Sequence, residues 1–474
     1  MTSSSPSAPP TATSLTGFLP VGVMLAMIVW EYSGAASALL VAQGFAVATI
    51  AVLVWRVPAS RVAFVVIGGA LIVWAAATRA DWADAVMTAI QRGAMVIALF
   101  TALSAIRTAA LTSHEILECG RFLARQRPGL RYTALTAGGH LFALILLYGS
   151  ISLLGSLARE SAASQPDPEL RLHRTRRMMV AIQRGFASTL CWSPLGFSMA
   201  ITLAIVPGAS WPGAVVACLV SAALMLTVGW ALDALFKPRL TAPPPPRAPE
   251  TGRWLVTLRP LLLLLAVVLS GVAALHMLTG VEVIGAVMSL VPLVAILWTM
   301  MQPRPAGFSR IGWTGSRMME FATRDIPAYR GEIVLLFMAG FIGSMGAWLL
   351  VPLVQTQGFN LSGIPPWLVL TAVVWIIPLT GQLGMNPILA VSLLVPLLPS
   401  PAAMGISPVP LIVAITGGWA LSGVTSPFTA SVLIAASLGG VSPRTAGLGW
   451  NGLYTLIMGV ILSGWALILA YGLS

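Results

Sequence analysis

Charged residues are scarce in this chain of 474 residues: they make up 8% of the sequence, whereas about 25% is usual in a soluble domain. Hydrophobic residues make up 57%. Apolar runs of about 18 or more residues, the length that crosses a ~30 Å hydrocarbon core as a helix, recur from end to end. A soluble fold could not bury this much apolar surface. The composition therefore predicts an all-α polytopic membrane protein.

Motifs for catalysis and metal binding are also missing. The sequence has no Walker loop, no nucleophile elbow, no cluster of metal ligands and no soluble stretch long enough for a nucleotide-binding domain. Cys119, Cys191 and Cys218 are widely spaced, so we interpret them as packing residues. We expect no enzymatic activity, no cofactor and no nucleotide-driven pumping.

Acidic residues are absent from the segments predicted to lie deepest in the membrane. Glu31, Asp233, Glu282 and Glu332 all fall at the ends of predicted spans. This argues against a proton relay built on buried carboxylates.

Basic residues give the chain a net charge of +12, but they are concentrated in a few connections between spans. Four clusters, at 107–131, 159–184, 237–259 and 304–330, are predicted to be cytoplasmic, and the uncharged segments 354–365 and 399–408 to be external. The distribution is typical of membrane topology and not of nucleic-acid binding. We expect a multi-pass protein of a bacterial cytoplasmic membrane with a cytoplasmic N-terminus.

The composition also divides the chain. Residues 1–16, rich in Ser, Thr and Pro, are predicted to be a disordered tail, and the proline-rich stretch 237–253 a cytoplasmic linker. Residues 17–236 then form a first transmembrane repeat with an extra N-terminal helix, and residues 254–474 form a second.

Two irregular apolar segments are predicted to be re-entrant hairpins. Segment 131–157 has basic connections on both sides, so a full crossing would carry one of them through the membrane. Segment 366–398 has uncharged flanks and contains "IIPLTGQLGMNP", which interrupts a helix. We expect the first hairpin to enter from the cytoplasm and the second from outside.

An internal repeat supports this division. The 22 residues from Val180 align without a gap with those from Val413, with nine identities that include Ser193-Pro194 and Ser426-Pro427, at an offset of 233. Arg92-Gly93 and Arg330-Gly331 match at the similar offset of 238. In the predicted topology the two copies run in opposite directions. The halves are therefore predicted to be inverted repeats, an arrangement common in alternating-access transporters.

The two Ser-Pro pairs are candidate binding positions, because proline interrupts a helix and irregular backbone at this depth must line a cavity or be buried in protein. The broken ends offer amide donors to an anion and carbonyls to a cation. Thr425 and other small hydroxyl residues surround the breaks. They could contribute ligands, or they could satisfy nearby backbone and allow close helix packing.

The predicted hairpin tips supply the other candidates. They contain Gly139 and His140 in the first hairpin, and Gly384 and Asn386 in the second. His140 could carry a proton or donate to an anion; it could equally be a neutral, hydrogen-bonded interior histidine.

The arrangement resembles the ion transporter superfamily, which includes divalent-anion:sodium symporters and arsenite exporters. The resemblance covers roughly residues 35–474 in layout and rests on the hairpin tips and Ser-Pro blocks. In the symporters, Ser-Asn-Thr motifs at the tips help to hold sodium and a substrate carboxylate. The tips here read Gly-Gly-His and Gly-Met-Asn-Pro, and Asn386 alone corresponds to a family-like position.

The resulting hypothesis is a secondary active transporter, working by symport, that moves a small anionic solute coupled to Na⁺ or H⁺, with Na⁺ then being a transported ion. A homodimer in the lipid bilayer is compatible with the sequence. The main alternative is a non-transporting membrane scaffold or complex subunit, which would have a closed core. An integral-membrane enzyme would instead show clustered Asp, Glu or His residues at one membrane face.

Overall fold

The computed structural model describes residues 14–237, 253–356 and 363–472. Within these ranges all regular structure is helical, and nine helical segments are long and apolar enough to cross a bilayer. This confirms the predicted all-α, multi-pass membrane fold. Nearly all of the predicted tail 1–16 and of the predicted linker 237–253 lies outside the described residues; Ser14–Gly17 forms a single 3-10 turn.

The α-helices are distributed over both halves of the chain. In the first half they are α1 (Phe18–Ser33), α2 (Ala36–Leu53), α3 (Ala59–Thr78), α4 (Trp82–Leu111), α5 (His114–Ala124), α6 (Pro128–Leu146), α7 (Gly149–Ala163), α8 (Pro168–Thr189), α9 (Phe197–Ile205) and α10 (Trp211–Leu235). In the second half they are α11 (Trp254–Thr279), α12 (Val283–Met301), α13 (Arg310–Glu320), α14 (Ile326–Ala328), α15 (Arg330–Thr356), α16 (Pro366–Gln382), α17 (Pro387–Leu394), α18 (Pro408–Thr425), α19 (Ala430–Gly439) and α20 (Trp450–Tyr471).

The chain forms two compact units, and each draws on both halves of the sequence. Among the described residues, unit 1 contains 14–109 and 272–346, and unit 2 contains 110–237, 253–271, 347–356 and 363–472. In unit 1, α4 packs closely on α15, since a Cβ on Gly93 would lie 2.5 Å from the Phe337 ring. These helices carry the Arg-Gly pairs that match between the halves.

Unit 2 contains both hairpins and both interrupted helices. The helix α8 ends at Thr189 and the chain resumes as α9 at Phe197; likewise α18 ends at Thr425 and α19 begins at Ala430. Both predicted breaks are therefore present. Prolines 194 and 427 lie within them, where the missing N–H prevents the helix from continuing.

Glycines allow each hairpin to approach its interrupted helix. A Cβ on Gly185 of α8 would lie 2.2 Å from the Thr136 carbonyl of α6, and a Cβ on Gly139 would lie 2.7 Å from the Ile182 carbonyl. At the repeat-equivalent position of α18, a Cβ on Gly418 would lie 3.0 Å from the Val373 carbonyl of α16. Small residues at these crossings bring the backbones into contact.

The predicted tip of the first hairpin is wrong. Gly139 and His140 lie inside α6, and the chain reverses at Leu147 and Tyr148, where Leu147 has φ of 49°. Two adjacent glycines are typical of a turn, but here they serve a close helix crossing. In the second hairpin the reversal lies at residues 383–386 and includes Gly384, whose φ is 92°, and Asn386.

The basic cluster at 159–184, predicted to lie in a connection between spans, is mostly helical and partly buried. The helix α8 begins at Pro168, so most of the cluster is helical. Arg184 is 6% exposed and lies in the core of unit 2. Its neighbours, described below, explain how a cation is accommodated there.

Candidate functional site

The two breaks are closed by the same three hydrogen bonds. In the first break, Ser193 N–H donates to the Thr189 carbonyl at 2.9 Å, and the Ser193 hydroxyl accepts from Leu195 N–H at 3.2 Å. The Ser193 carbonyl accepts from Gly196 N–H at 3.1 Å. The second break repeats each bond 233 residues later. Ser426 N–H donates to the Ser422 carbonyl at 2.9 Å, and Phe428 N–H donates to the Ser426 hydroxyl at 3.3 Å. Thr429 N–H donates to the Ser426 carbonyl at 3.2 Å. The copies thus share local geometry as well as sequence.

The second break has an additional bond to its hairpin. Ser426 Oγ donates to the Gly381 carbonyl of α16 at 2.6 Å, and both groups are buried. A ring carbon of Phe428 lies 3.8 Å from the position a Cβ would take on Gly384 at the reversal. The second hairpin is therefore held directly against the second break.

Carbonyls that the second break leaves without helical partners are satisfied by side chains. In a continuous helix Gly423 would accept from residue 427, which is a proline, so the carbonyl of Gly423 accepts instead from the hydroxyl of Ser431. The carbonyl of Val424 accepts from Gln183 Nε2 at 3.3 Å and from Asn451 Nδ2 at 3.4 Å. These two carbonyls are consequently occupied, although the sequence predicted that such groups would be available to a cation.

The two interrupted helices lie side by side near their breaks. Gln183 of α8 reaches Val424 at the end of α18, and a Cβ on Gly423 would lie 3.2 Å from the Leu190 side chain. Unit 2 therefore brings both Ser-Pro regions into one neighbourhood, as a shared site requires.

A buried cation lies beside this neighbourhood. Arg184 donates from Nε to Asn451 Oδ1 at 3.0 Å and from Nη1 to the Tyr132 hydroxyl at 3.1 Å, with further bonds to backbone carbonyls. Its guanidinium also lies over the Tyr454 ring, 4.3 Å from the centroid. Every described partner is neutral, so the core of unit 2 retains a positive charge.

Two buried hydroxyls near the breaks have no hydrogen-bond partner within the described residues. They are Ser198 Oγ, in the first turn of α9, and Ser422 Oγ, in the last turn of α18. Both residues are 0% exposed. Because both lie beside the breaks and make no hydrogen bond to the described residues, each could bond to a ligand held there.

His140 lies against the first break. Trp192, within that break, donates from Nε1 to His140 Nε2 at 3.3 Å, and the two rings are nearly parallel with centroids 5.9 Å apart. His140 Nδ1 lies 2.7 Å from Ser188 Oγ, whose own hydrogen is donated to the Gly185 carbonyl at 2.7 Å. His140 is thus a hydrogen-bonded histidine that links the first hairpin to the first break.

Comparison with known proteins identifies the architecture. No protein-family model and no curated protein matches the chain. Among solved structures, the Alcanivorax borkumensis YdaH transporter matches with a TM-score of 0.51 and 16% identity over 87% of this chain and 98% of its own. Neisseria gonorrhoeae MtrF, described as representing a class of antimetabolite efflux pumps, matches with a TM-score of 0.53 and 13% identity over 88% and 96%. The chain shares the fold of these two proteins.

The structure places the predicted site residues in two groups. Ser193 and Pro194 lie in the first break with His140 beside them, while Gly139 serves the crossing of α6 and α8. The second group comprises Gly384 and Asn386 at the reversal and Thr425, Ser426 and Pro427 at the second break. Asn386 caps α17 by accepting from Ile388 N–H at 2.8 Å, and Thr425 Oγ1 donates to the Leu421 carbonyl at 2.7 Å.

Sequence reasoning missed Gln183, Arg184, Trp192 and Asn451. An available signal was the pair Gln183-Arg184 inside an apolar run, because ionisable residues at membrane depth are commonly functional. Asn451 carried a weaker signal as a lone amide near the start of the last apolar span.

Proposed function

We propose that the chain is a secondary active transporter of a small anionic solute, coupled to Na⁺ or H⁺, that works by alternating access between inverted repeats. The observation that carries the proposal is the pair of breaks with equivalent hydrogen bonds, lying side by side in a fold shared with transporters. Interrupted helices in this position are the usual binding elements of secondary transporters. The same layout supports a place in the ion transporter superfamily.

The anionic character of the solute is supported by charge. Arg184 supplies a buried positive charge with neutral partners. The N-terminal ends of α9 and α19, which follow the breaks, add amide donors and a favourable helix dipole. Ser198 Oγ, unpartnered among the described residues, belongs to the first of these ends.

Two features support coupling to Na⁺ or to H⁺. Ser422 Oγ, in the last turn of α18, is an oxygen of the kind that binds Na⁺, and it has no partner in the described part of the chain. His140 provides a group that binds H⁺. The basic clusters of the sequence further support a bacterial cytoplasmic membrane and a cytoplasmic N-terminus.

Flux measurements test this function. The purified protein is reconstituted in liposomes, and uptake is measured for a panel of labelled organic and inorganic anions under an imposed Na⁺ gradient, an H⁺ gradient or neither. We expect gradient-dependent uptake of at least one anion, above that of protein-free liposomes. Absence of such flux for every anion would contradict the proposal and favour the scaffold alternative.

Variants of the breaks locate the site. Ser193→Ala and Ser426→Ala are each expected to lower the uptake rate about tenfold or more, the effect of losing roughly 1.4 kcal/mol at the site. Ser463→Ala is the matched control, because this serine of α20 is also buried and its hydroxyl has no described partner. Uptake that survives both break substitutions would remove the Ser-Pro regions from the site.

A further inference from the structure

The hydrogen bonds around His140 fix which of its nitrogens carries the proton. An indole N–H can only donate, so Nε2 of His140, which accepts from Trp192, must be unprotonated. Ser188 Oγ uses its own hydrogen toward Gly185, so it accepts from Nδ1 of His140. His140 is therefore the neutral Nδ1–H tautomer, with one vacant proton position at Nε2.

Occupying that position is incompatible with the bond to Trp192. A proton on Nε2 would point at the indole N–H, and two donors cannot share a hydrogen bond. Protonation must therefore separate the Trp192 ring from His140, while the bond from Nδ1 to Ser188 strengthens because its donor becomes charged. Trp192 lies in the first break, so the change acts directly on the irregular backbone there.

Trp192 is well placed to transmit this change. The backbone N–H of Trp192 donates to the Thr189 carbonyl at 3.2 Å, and its backbone carbonyl accepts from Trp211 Nε1 at 2.9 Å. The backbone of the break is thus held from α8 and from the start of α10, and the bond to His140 holds the side chain from α6. His140 itself is partly exposed, so its ring is not fully enclosed by the protein.

No other charged group is a partner of His140 in the described residues, whose polar contacts to it are Ser188 and Trp192. On α8, Arg184 bonds to Asn451 and Arg177 pairs with Asp233 of α10. The remaining charged or titratable groups on the elements packed against α6 are the following: Glu169, His173 and the arginines of the first half of α8, Arg159 and Glu160 on α7, His114, Glu115, Glu118, Cys119 and Arg121 on α5, Cys218 on α10, Tyr148 at the reversal, and Cys191 in the break.

We propose that His140 is the proton-binding site of this protein, and that a proton on Nε2 releases Trp192 and loosens the first break. The inference rests on the proposed function for its role, since it makes H⁺ the coupling ion. It assigns no proton to a carboxylate, in keeping with the lack of Asp and Glu in the described helices α6, α9 and α18.

Nuclear magnetic resonance of the protein in lipid nanodiscs tests the site without a substrate. The chain has four histidines, so ¹⁵N-histidine labelling gives few signals, and His140→Gln assigns the relevant one by its loss. We expect His140 to be the Nδ1–H tautomer at neutral pH and to become doubly protonated as pH falls. An Nε2–H tautomer, or a signal unchanged between pH 4 and 8, would overturn the proposal.

Two variants give opposite shifts. Trp192→Phe removes a bond made only to the neutral imidazole, so the midpoint of protonation should rise by about half to one pH unit, the equivalent of a hydrogen bond worth ~1 kcal/mol. Ser188→Ala removes an acceptor that favours the charged form, so the midpoint should fall. Shifts of the same sign, or no shift in either variant, would contradict this assignment of the two hydrogen bonds.

The effect on the break is measured at Trp192. With 5-fluorotryptophan, the ¹⁹F signal lost in Trp192→Phe should move with pH at the same midpoint as His140, and it should not move with pH in His140→Gln. A Trp192 signal that is independent of pH in the unmodified protein would refute the coupling. These readouts are separate from flux: a protein that shows them but moves no anion retains its proton site and fails as a carrier, whereas an anion carrier without them is coupled to another ion.

Discussion

The Asn451 amide donates to Gln183 Oε1 at 3.0 Å, although 268 residues separate the two in sequence. The same amide group also reaches the Val424 carbonyl, and its oxygen accepts from Arg184. One fully buried side chain thus joins α20 to both interrupted helices. Its position explains how the Arg184 cation is tolerated in the core of unit 2.

Removal of this amide should destabilise the protein. Asn451→Ala leaves Arg184 Nε and Gln183 without their partners in a buried setting, and we expect the free energy of unfolding to fall by about 3 kcal/mol. Denaturation of the detergent-solubilised protein, followed by tryptophan fluorescence, measures the change. Ser463→Ala on the same helix is the control; because its hydroxyl has no described partner, that variant should match the unmodified protein. Equal stability of the two variants would contradict the role of Asn451.

Replacing the glycine at each crossing of a hairpin with an interrupted helix should destabilise the protein to a different degree. Gly185→Ala places a methyl group 2.2 Å from the backbone oxygen of Thr136, whereas Gly418→Ala places one 3.0 Å from that of Val373. We expect the first to abolish folding or nearly so and the second to lower the yield of folded protein. Gly464→Ala, with nothing within 4 Å, is the control. Size-exclusion chromatography of the three variants decides the order.

The two serines of the breaks should differ in their effect on the hairpins. Ser426→Ala removes the bond to the Gly381 carbonyl, so hydrogen exchange of the segment 381–386 should accelerate. Ser193→Ala removes an acceptor for Leu195 N–H and should leave exchange in α6 unchanged. Hydrogen–deuterium exchange with mass spectrometry compares the two. Equal effects on both hairpins would show that the Ser426 bond does not hold α16.

Glycine should be required at residue 384, in the reversal of the second hairpin, because of its backbone conformation and not because a larger side chain would clash. Gly384 has φ of 92°, and the nearest atom to an added Cβ is 3.8 Å away. We expect Gly384→Ala to cost about 1 kcal/mol of stability and Gly384→Asn to cost less, because asparagine tolerates positive φ better. Thermal unfolding measures both. If alanine is no worse than asparagine, strain at this residue is not the reason for glycine.

Much of the fold could be predicted from local properties of the sequence. Apolar run length located the spans, and Pro194 and Pro427 located the breaks because each removes a backbone donor. The first hairpin tip could not be placed in this way, since adjacent glycines are typical both of turns and of close helix crossings. Arg184 was assigned to a basic connection because its neutral partners, Asn451 and Tyr132, lie far from it in sequence.

Each compact unit is assembled from two separate stretches of chain, and this affects how the protein is made. Gln183 and Arg184 leave the ribosome long before their partner Asn451 is synthesised. During that interval the first half sits in the bilayer with a cation and an amide lacking their final contacts. The core of unit 2 can therefore be completed only after the last helix, α20, has been made.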